Sequence, residues 1–147
     1  MKFSLWALLT ALIAGITMAV QGALNSSLSK KIGLLEATFV VHFLATLLLI
    51  LILFVFRLGK GDFSKMSQVP WYIYLGGLLG VIITYTVVVS IPKLGAALAT
   101  TAIIVGQVST ACLIDHLGLF GLKQIDFTWT KAVGIILLAA GARFMLH

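Results

Sequence analysis

Few side chains in this 147-residue sequence carry chemistry, and most of them stand inside apolar runs. Gln21 and Asn25 are the last members of a series, Thr10, Ala14, Thr17, Gln21 and Asn25, whose steps of three and four place them on one helical face. Gln107 lies within Gly95 to Ile114, which carries no charge. An amide surrounded by hydrocarbon needs a hydrogen-bond partner or water. His42 and Tyr85 add an imidazole and a phenol to two further apolar runs. Together, Gln21, Asn25, Gln107, His42 and Tyr85 suit hydrogen-bonded recognition of a small molecule. Glu36, His42 and Asp115 are the acids and the histidine on or beside these runs, and they are the candidates for proton coupling.

None of this points to bond-making. The sequence has no nucleotide-binding loop, no HExxH, no cysteine–histidine cluster and no Ser-His-Asp arrangement at usable spacing. An enzyme, a cofactor and a metal site are therefore not expected. The residues also allow plainer readings. The polar stripe through Gln21 also fits a helix-packing seam with Asn25 near a cap, and His42 also fits a neutral imidazole donating to a carbonyl.

Composition sets the elements that must hold these groups. The chain is 61% hydrophobic and 10% charged, with a mean hydropathy of +1.18, whereas soluble domains carry about 25% charged residues. The class is an all-α polytopic membrane protein. A transmembrane β-barrel would alternate polar and apolar residues, and the apolar runs here are continuous. Net charge is +6. The basic residues lie singly or in pairs between apolar runs, as juxtamembrane anchors do, so nucleic acid is not an expected partner. The single cysteine, Cys112, permits no internal disulfide.

The hydropathy pattern predicts five transmembrane helices, at about 4–24, 35–56, 71–90, 95–115 and 128–146, in a single transmembrane domain over 1–147. The first resembles a signal peptide without a clean cleavage site and reads as a retained span. Ser26 to Gly33 reads as a loop, Arg57 to Pro70 as the longest polar segment, and Ile91 to Leu94 as a tight turn. Trp71, Tyr72 and Tyr74 read as an interfacial aromatic belt. Gly76 and Gly80 make a GxxxG, and with Gly106, Gly134 and Gly141 they are expected to allow close helix packing.

Five spans would put the two ends on opposite sides. The N-terminal side would carry Lys2, Arg57, Lys60, Lys65, Lys123 and Lys131, and the other Lys30, Lys31, Lys93 and Arg143. That bias favours a cytoplasmic N-terminus but is small. It suggests insertion in both orientations, with an antiparallel homodimer or an oppositely oriented paralogue as partner. Helical rise places Gln21, His42 and Tyr85 about 5–10 Å, and Gln107 about 18 Å, from the side bearing Asn25 and Glu36. One cavity open to that side is expected.

The same residues carry a likeness. The chain resembles the YdcZ-type family of bacterial inner-membrane proteins in the drug/metabolite transporter (DMT) superfamily. The matching elements are Gln21 and Asn25 in QGALNSSLSKKIG, Gly76-Gly77-x-x-Gly80, Pro92-Lys93-Leu94-Gly95-Ala96, Gly106-Gln107, and Asp115-His116-Leu117-Gly118-Leu119-Phe120-Gly121. The resemblance implies five spans, a multi-pass inner-membrane location and a half-size transporter acting as a homodimer, as a pair encoded together or as half of a fused ten-helix protein. Similarity to the small multidrug resistance exporters is more distant. Those rely on a glutamate in the first helix, and the first helix here has no acid. The leading expectation is a small dimeric carrier of a polar or amphipathic molecule. The alternatives are a non-transporting membrane subunit and a dual-topology ion channel.

Overall fold

The computed structural model describes residues 4–145. They form five α-helices in the order α1 (Leu5–Ile32), α2 (Leu34–Ile50), α3 (Leu75–Leu94), α4 (Ala96–Leu117) and α5 (Trp129–Phe144). A π-helical turn, Leu51–Val55, prolongs α2, and a 3-10 turn, Trp71–Tyr74, leads into α3. A helix is the economical solution here because an apolar solvent satisfies no backbone N–H or C=O. The hydroxyls of Thr10, Thr17, Thr38, Thr46, Thr84 and Ser109 likewise donate to carbonyls of their own helices.

Four of these helical segments are long and apolar enough to cross a membrane, not five. They are Leu5–Ile32 (28 residues), Leu34–Val55 (22), Trp71–Leu94 (24) and Ala96–Leu117 (22). At 1.5 Å per residue the shortest reaches about 33 Å, enough for a hydrocarbon core of roughly 30 Å. The fifth expected span, 128–146, is realised as the 16-residue α5, which covers only about 24 Å. The Thr128 side chain caps it by accepting from the Lys131 N–H. Lys131 and Arg143 then leave a short uncharged stretch between them. Four crossings return a chain to the side where it began, so the sidedness assigned to Lys131 and Arg143 for five spans does not follow.

Two boundaries also move. The predicted loop at Ser26 to Gly33 is helical up to Ile32, and the predicted turn at Ile91 to Leu94 is helical through Pro92. In each case a single glycine separates two helices. Gly33 has φ 101° and ψ 158°, and Gly95 has φ 79° and ψ 158°. L-residues avoid this region, so both joints require glycine.

The chain divides into two compact units, the first ending at Val89 and the second beginning at Ser90. In the first, α1 packs on α2, and the buried residues gather on both sides of Gly33: Gly22, Asn25 and Ser26 on α1, Ala37 and Thr38 on α2. Val88 on α3 is also buried. In the second, α4 packs on α5. The segment after α4 folds back onto its end: the Ile125 N–H donates to the Asp115 carbonyl (2.8 Å), and Gln124 Nε2 donates to the His116 carbonyl (2.8 Å). Large apolar side chains such as Leu12, Ile16, Phe43, Leu48 and Leu137 are exposed from their own units, as in a protein whose solvent is lipid.

Candidate functional site

The polar stripe of α1 ends differently from the way it begins. Thr10 and Thr17 are exposed and bonded back into the helix. One to two turns further on, Gln21, still exposed, and Asn25, which is buried, approach α3. They border a cavity of about 40 Å³ together with Met18 and Gly22 from α1 and Ile83, Thr84 and Val87 from α3. Gly22 contributes no side chain, which leaves room beside the amides. Asn25 is only 8% exposed, and its amide has no hydrogen-bond partner among the described residues. No side-chain nitrogen or oxygen among the described residues is both buried and unpartnered, so the Asn25 amide stays open to the hollow, where a ligand or a water can bond to it. The volume suits one water. Thr84 Oγ1 donates to the Gly80 carbonyl (3.1 Å), which leaves its lone pairs available to accept.

His42 stands apart from this cavity. Its Nδ1 lies 2.9 Å from the Thr38 carbonyl, so Nδ1 is the protonated nitrogen and donates. This is a backbone-bonded arrangement within its own helix. Its Nε2 faces α3 at Gly80, where an added Cβ would lie 3.9 Å away. An added Cβ at Gly76, Gly106, Gly134 or Gly141 meets nothing within 4 Å. Tyr85 is 40% exposed and does not line the cavity, although its neighbour Thr84 does. Glu36 is exposed in the first turn of α2, with its carboxylate folded against Gly33. Asp115 ends α4 in the second unit. Gln107 is also in the second unit, exposed on α4. The structure therefore brings together Gln21 and Asn25 of the predicted set.

Two larger hollows are less suited to recognition. One, of about 260 Å³, lies in the loop from Leu53 to Met66. The other, of about 380 Å³, is lined by Ser109, Cys112, Leu113, His116, Phe127 and Ile135 in the second unit. Its polar atoms are largely engaged: Ser109 Oγ donates to the Val105 carbonyl, and His116 Nδ1 accepts from the Phe127 N–H. No group of three or more metal-ligating side chains occurs among the described residues. Outside the spans, the Asp62 carboxyl is held below its usual range, first by the Ser64 side chain and then by the Ser64 N–H at 2.9 Å.

Sequence reasoning missed the α3 wall. Ile83, Thr84 and Val87 follow ordinary helical spacing in an apolar run, and nothing in their types marks them as facing Gln21 and Asn25.

Four helices long and apolar enough to cross a membrane, with a small cavity between two of them that no charged side chain lines, define a small polytopic membrane protein. The chain matches the family described as "Putative inner membrane exporter, YdcZ" over residues 6–144. It belongs to this YdcZ family of the DMT superfamily, and is a multi-pass protein of the bacterial inner membrane in a family of small-molecule transporters, not enzymes. A search of the curated proteins and of the solved structures found no match.

Proposed function

We propose that the protein is the half-size subunit of a dimeric carrier, a single transmembrane domain that moves a small polar or amphipathic molecule across the inner membrane. The cavity bordered by Gln21 and Asn25 is its recognition site. The observation that supports this reading is Asn25: a residue only 8% exposed, whose amide bonds to no other described residue and opens onto a hollow lined by no charged side chain. A purely structural amide at this depth would be tied to a neighbour. Exchange of occupants at such a site needs groups that bind and release, and neutral amides do both.

Dimerisation is supported by Gln107, an exposed amide near the middle of a 22-residue apolar helix. Across a two-fold contact an amide pairs with its own copy, donor to acceptor. The small residues Ala102, Gly106 and Thr110, exposed on the same helix, allow close approach. Glu36, His42 and Asp115 remain the candidates for coupling, and the His42 Nε2 faces α3 at Gly80.

The test is uptake of a labelled panel of uncharged, anionic and cationic metabolites into proteoliposomes. Saturable flux of at least one compound, lost in Asn25→Leu with folding retained, supports the assignment. Flux unchanged by Asn25→Leu removes the site. Loss in Gln107→Leu, together with loss of the dimer, ties the second amide to assembly.

A further inference from the structure

The cavity lining repeats itself. Sixty-two positions on from the α1 residues Gln21, Gly22 and Asn25 stand Ile83, Thr84 and Val87, the α3 residues of the same cavity. The same interval carries Lys31-Ile32-Gly33 onto Lys93-Leu94-Gly95, and Ala37-Thr38 onto Ala99-Thr100. The pattern Lys-(Ile/Leu)-Gly-x-x-x-Ala-Thr thus occurs twice.

The backbone at the two glycine joints repeats with it. At Gly33 the N–H donates to the Ser29 carbonyl (3.0 Å), and the glycine carbonyl accepts from the Ala37 N–H (3.1 Å). At Gly95 the corresponding bonds run to the Ile91 carbonyl (2.8 Å) and from the Ala99 N–H (3.1 Å). The two glycines share ψ 158° and a positive φ. Burial keeps the same interval, with Ser26 matching Val88 and Ala37 matching Ala99. Neither helical periodicity nor an apolar composition requires an interval of this length.

The copies differ in the residues that carry chemistry. Gln21 and Asn25 correspond to Ile83 and Val87, Glu36 to Leu98, and His42 to Ile104. Helices α1 and α3 therefore meet through equivalent faces, one bearing amides and the other branched aliphatics.

We propose that residues 18–46 and 80–108 are two copies of one helix–glycine–helix unit, and that the cavity where their equivalent faces meet takes an uncharged amphipathic molecule. Its hydrogen-bonding end is held by Gln21 and Asn25, and its apolar part lies against Ile83 and Val87. This deepens the site reading given under Proposed function and rests on it. No Lys, Arg, Asp, Glu or His lines the cavity, and burying an unpaired charge there carries a heavy desolvation cost. An amide offers both donors and an acceptor, which suits a primary amide or an alcohol. The cavity as it stands holds about one water, so such a ligand enters when the two faces part.

The sequence has four methionines, one of which, Met18, borders the cavity. Its ¹³C-methyl resonance in lipid nanodiscs is the readout, titrated with butyramide, butyrate and butylammonium, three probes of matched size. The variants are Q21I/N25V, which removes the amides, and the full exchange Q21I/N25V/I83Q/V87N, which moves them to the other copy at constant composition. A single-pair exchange, N25V/V87N, serves if the fourfold variant does not fold. Butyramide is expected to shift Met18 saturably in the wild type and the exchanged proteins. It is expected to bind Q21I/N25V roughly tenfold or more weakly, as the loss of two hydrogen bonds predicts. Exchanged proteins as defective as Q21I/N25V would overturn the equivalence of the copies and leave the site standing. Butyrate or butylammonium acting as well as butyramide would overturn the uncharged class. A wild-type Met18 that no probe shifts would overturn the site itself.

Discussion

Replacement of Gly33 by alanine tests the helix joints quantitatively. At φ 101° and ψ 158° an L-residue is held in a region that is essentially glycine-only, at a cost of about 1–3 kcal/mol. A second effect comes from Glu36, whose carboxyl carbon would lie 2.9 Å from the new Cβ, with a carboxylate oxygen nearer still. Because this is the far end of a flexible side chain, it moves rather than clashes. What is lost is its position at the first turn of α2, where a carboxylate opposite the helix dipole contributes about 0.3–1 kcal/mol. At Gly95 the backbone is equivalent, and an added Cβ meets nothing within 4 Å. Gly33→Ala should therefore cost more than Gly95→Ala by about the size of the Glu36 contribution. Equilibrium unfolding in mixed micelles measures both. In a Glu36→Ala background the two glycine substitutions should cost the same, since the coupling partner has gone. Wild-type stability in Gly33→Ala, or an excess cost that survives Glu36→Ala, refutes the reasoning.

Other outcomes follow from the same geometry. Asn25→Val removes an amide that bonds to no other described residue, so stability should change by less than about 1 kcal/mol while binding is lost; unfolding and flux measured on one preparation separate the two. Gly80→Ala should be tolerated, because its Cβ would make an ordinary 3.9 Å contact with His42 Nε2, whereas Gly80→Leu should overpack the α2–α3 approach and destabilise by about 1–3 kcal/mol. Ser64→Ala should raise the Asp62 pKa, since the Ser64 side chain is the leading cause of its depression; carboxyl NMR titration reads it directly. With a folded pKa below the unfolded one, this contact supports the loop above the usual carboxylate range and is lost as pH falls through the lowered value.

Much of the architecture was legible in the residues, and its departures have physical causes. Continuous apolar runs gave the membrane helices, because length and hydropathy alone decide whether a segment can span. Asn25-Ser26-Ser27 reads as a helix end by ordinary capping preference. The helix continues because Ser29 Oγ donates back to the Ser26 carbonyl and each backbone group finds its partner internally. Pro92 reads as a stop, yet α3 passes through it and breaks only where Gly95 permits a positive φ. The fifth span failed on arithmetic visible beforehand: Lys131 and Arg143 stand too close together for the run between them to cross.

For the site, the four-residue step from Gln21 to Asn25 was enough to put two amides on one face. Their partners on α3 are aliphatic and carry no local signal. The glycine pattern shared by the two copies is readable only when residues 31–38 are set beside 93–100. Gln107 shows the limit of depth estimates: its distance along α4 follows from helical rise, but rise alone does not say which way a side chain faces.

The account stands on the hollow beside Asn25 being reachable from water. Val87→Cys in a Cys112→Ser background leaves one thiol in the chain, at the cavity, with both amides in place. Proteoliposomes carrying it are to be treated with a charged, membrane-impermeant methanethiosulfonate. Modification that is slowed by butyramide is the predicted result. A thiol that stays inert to reagent supplied on either face of the membrane contradicts it.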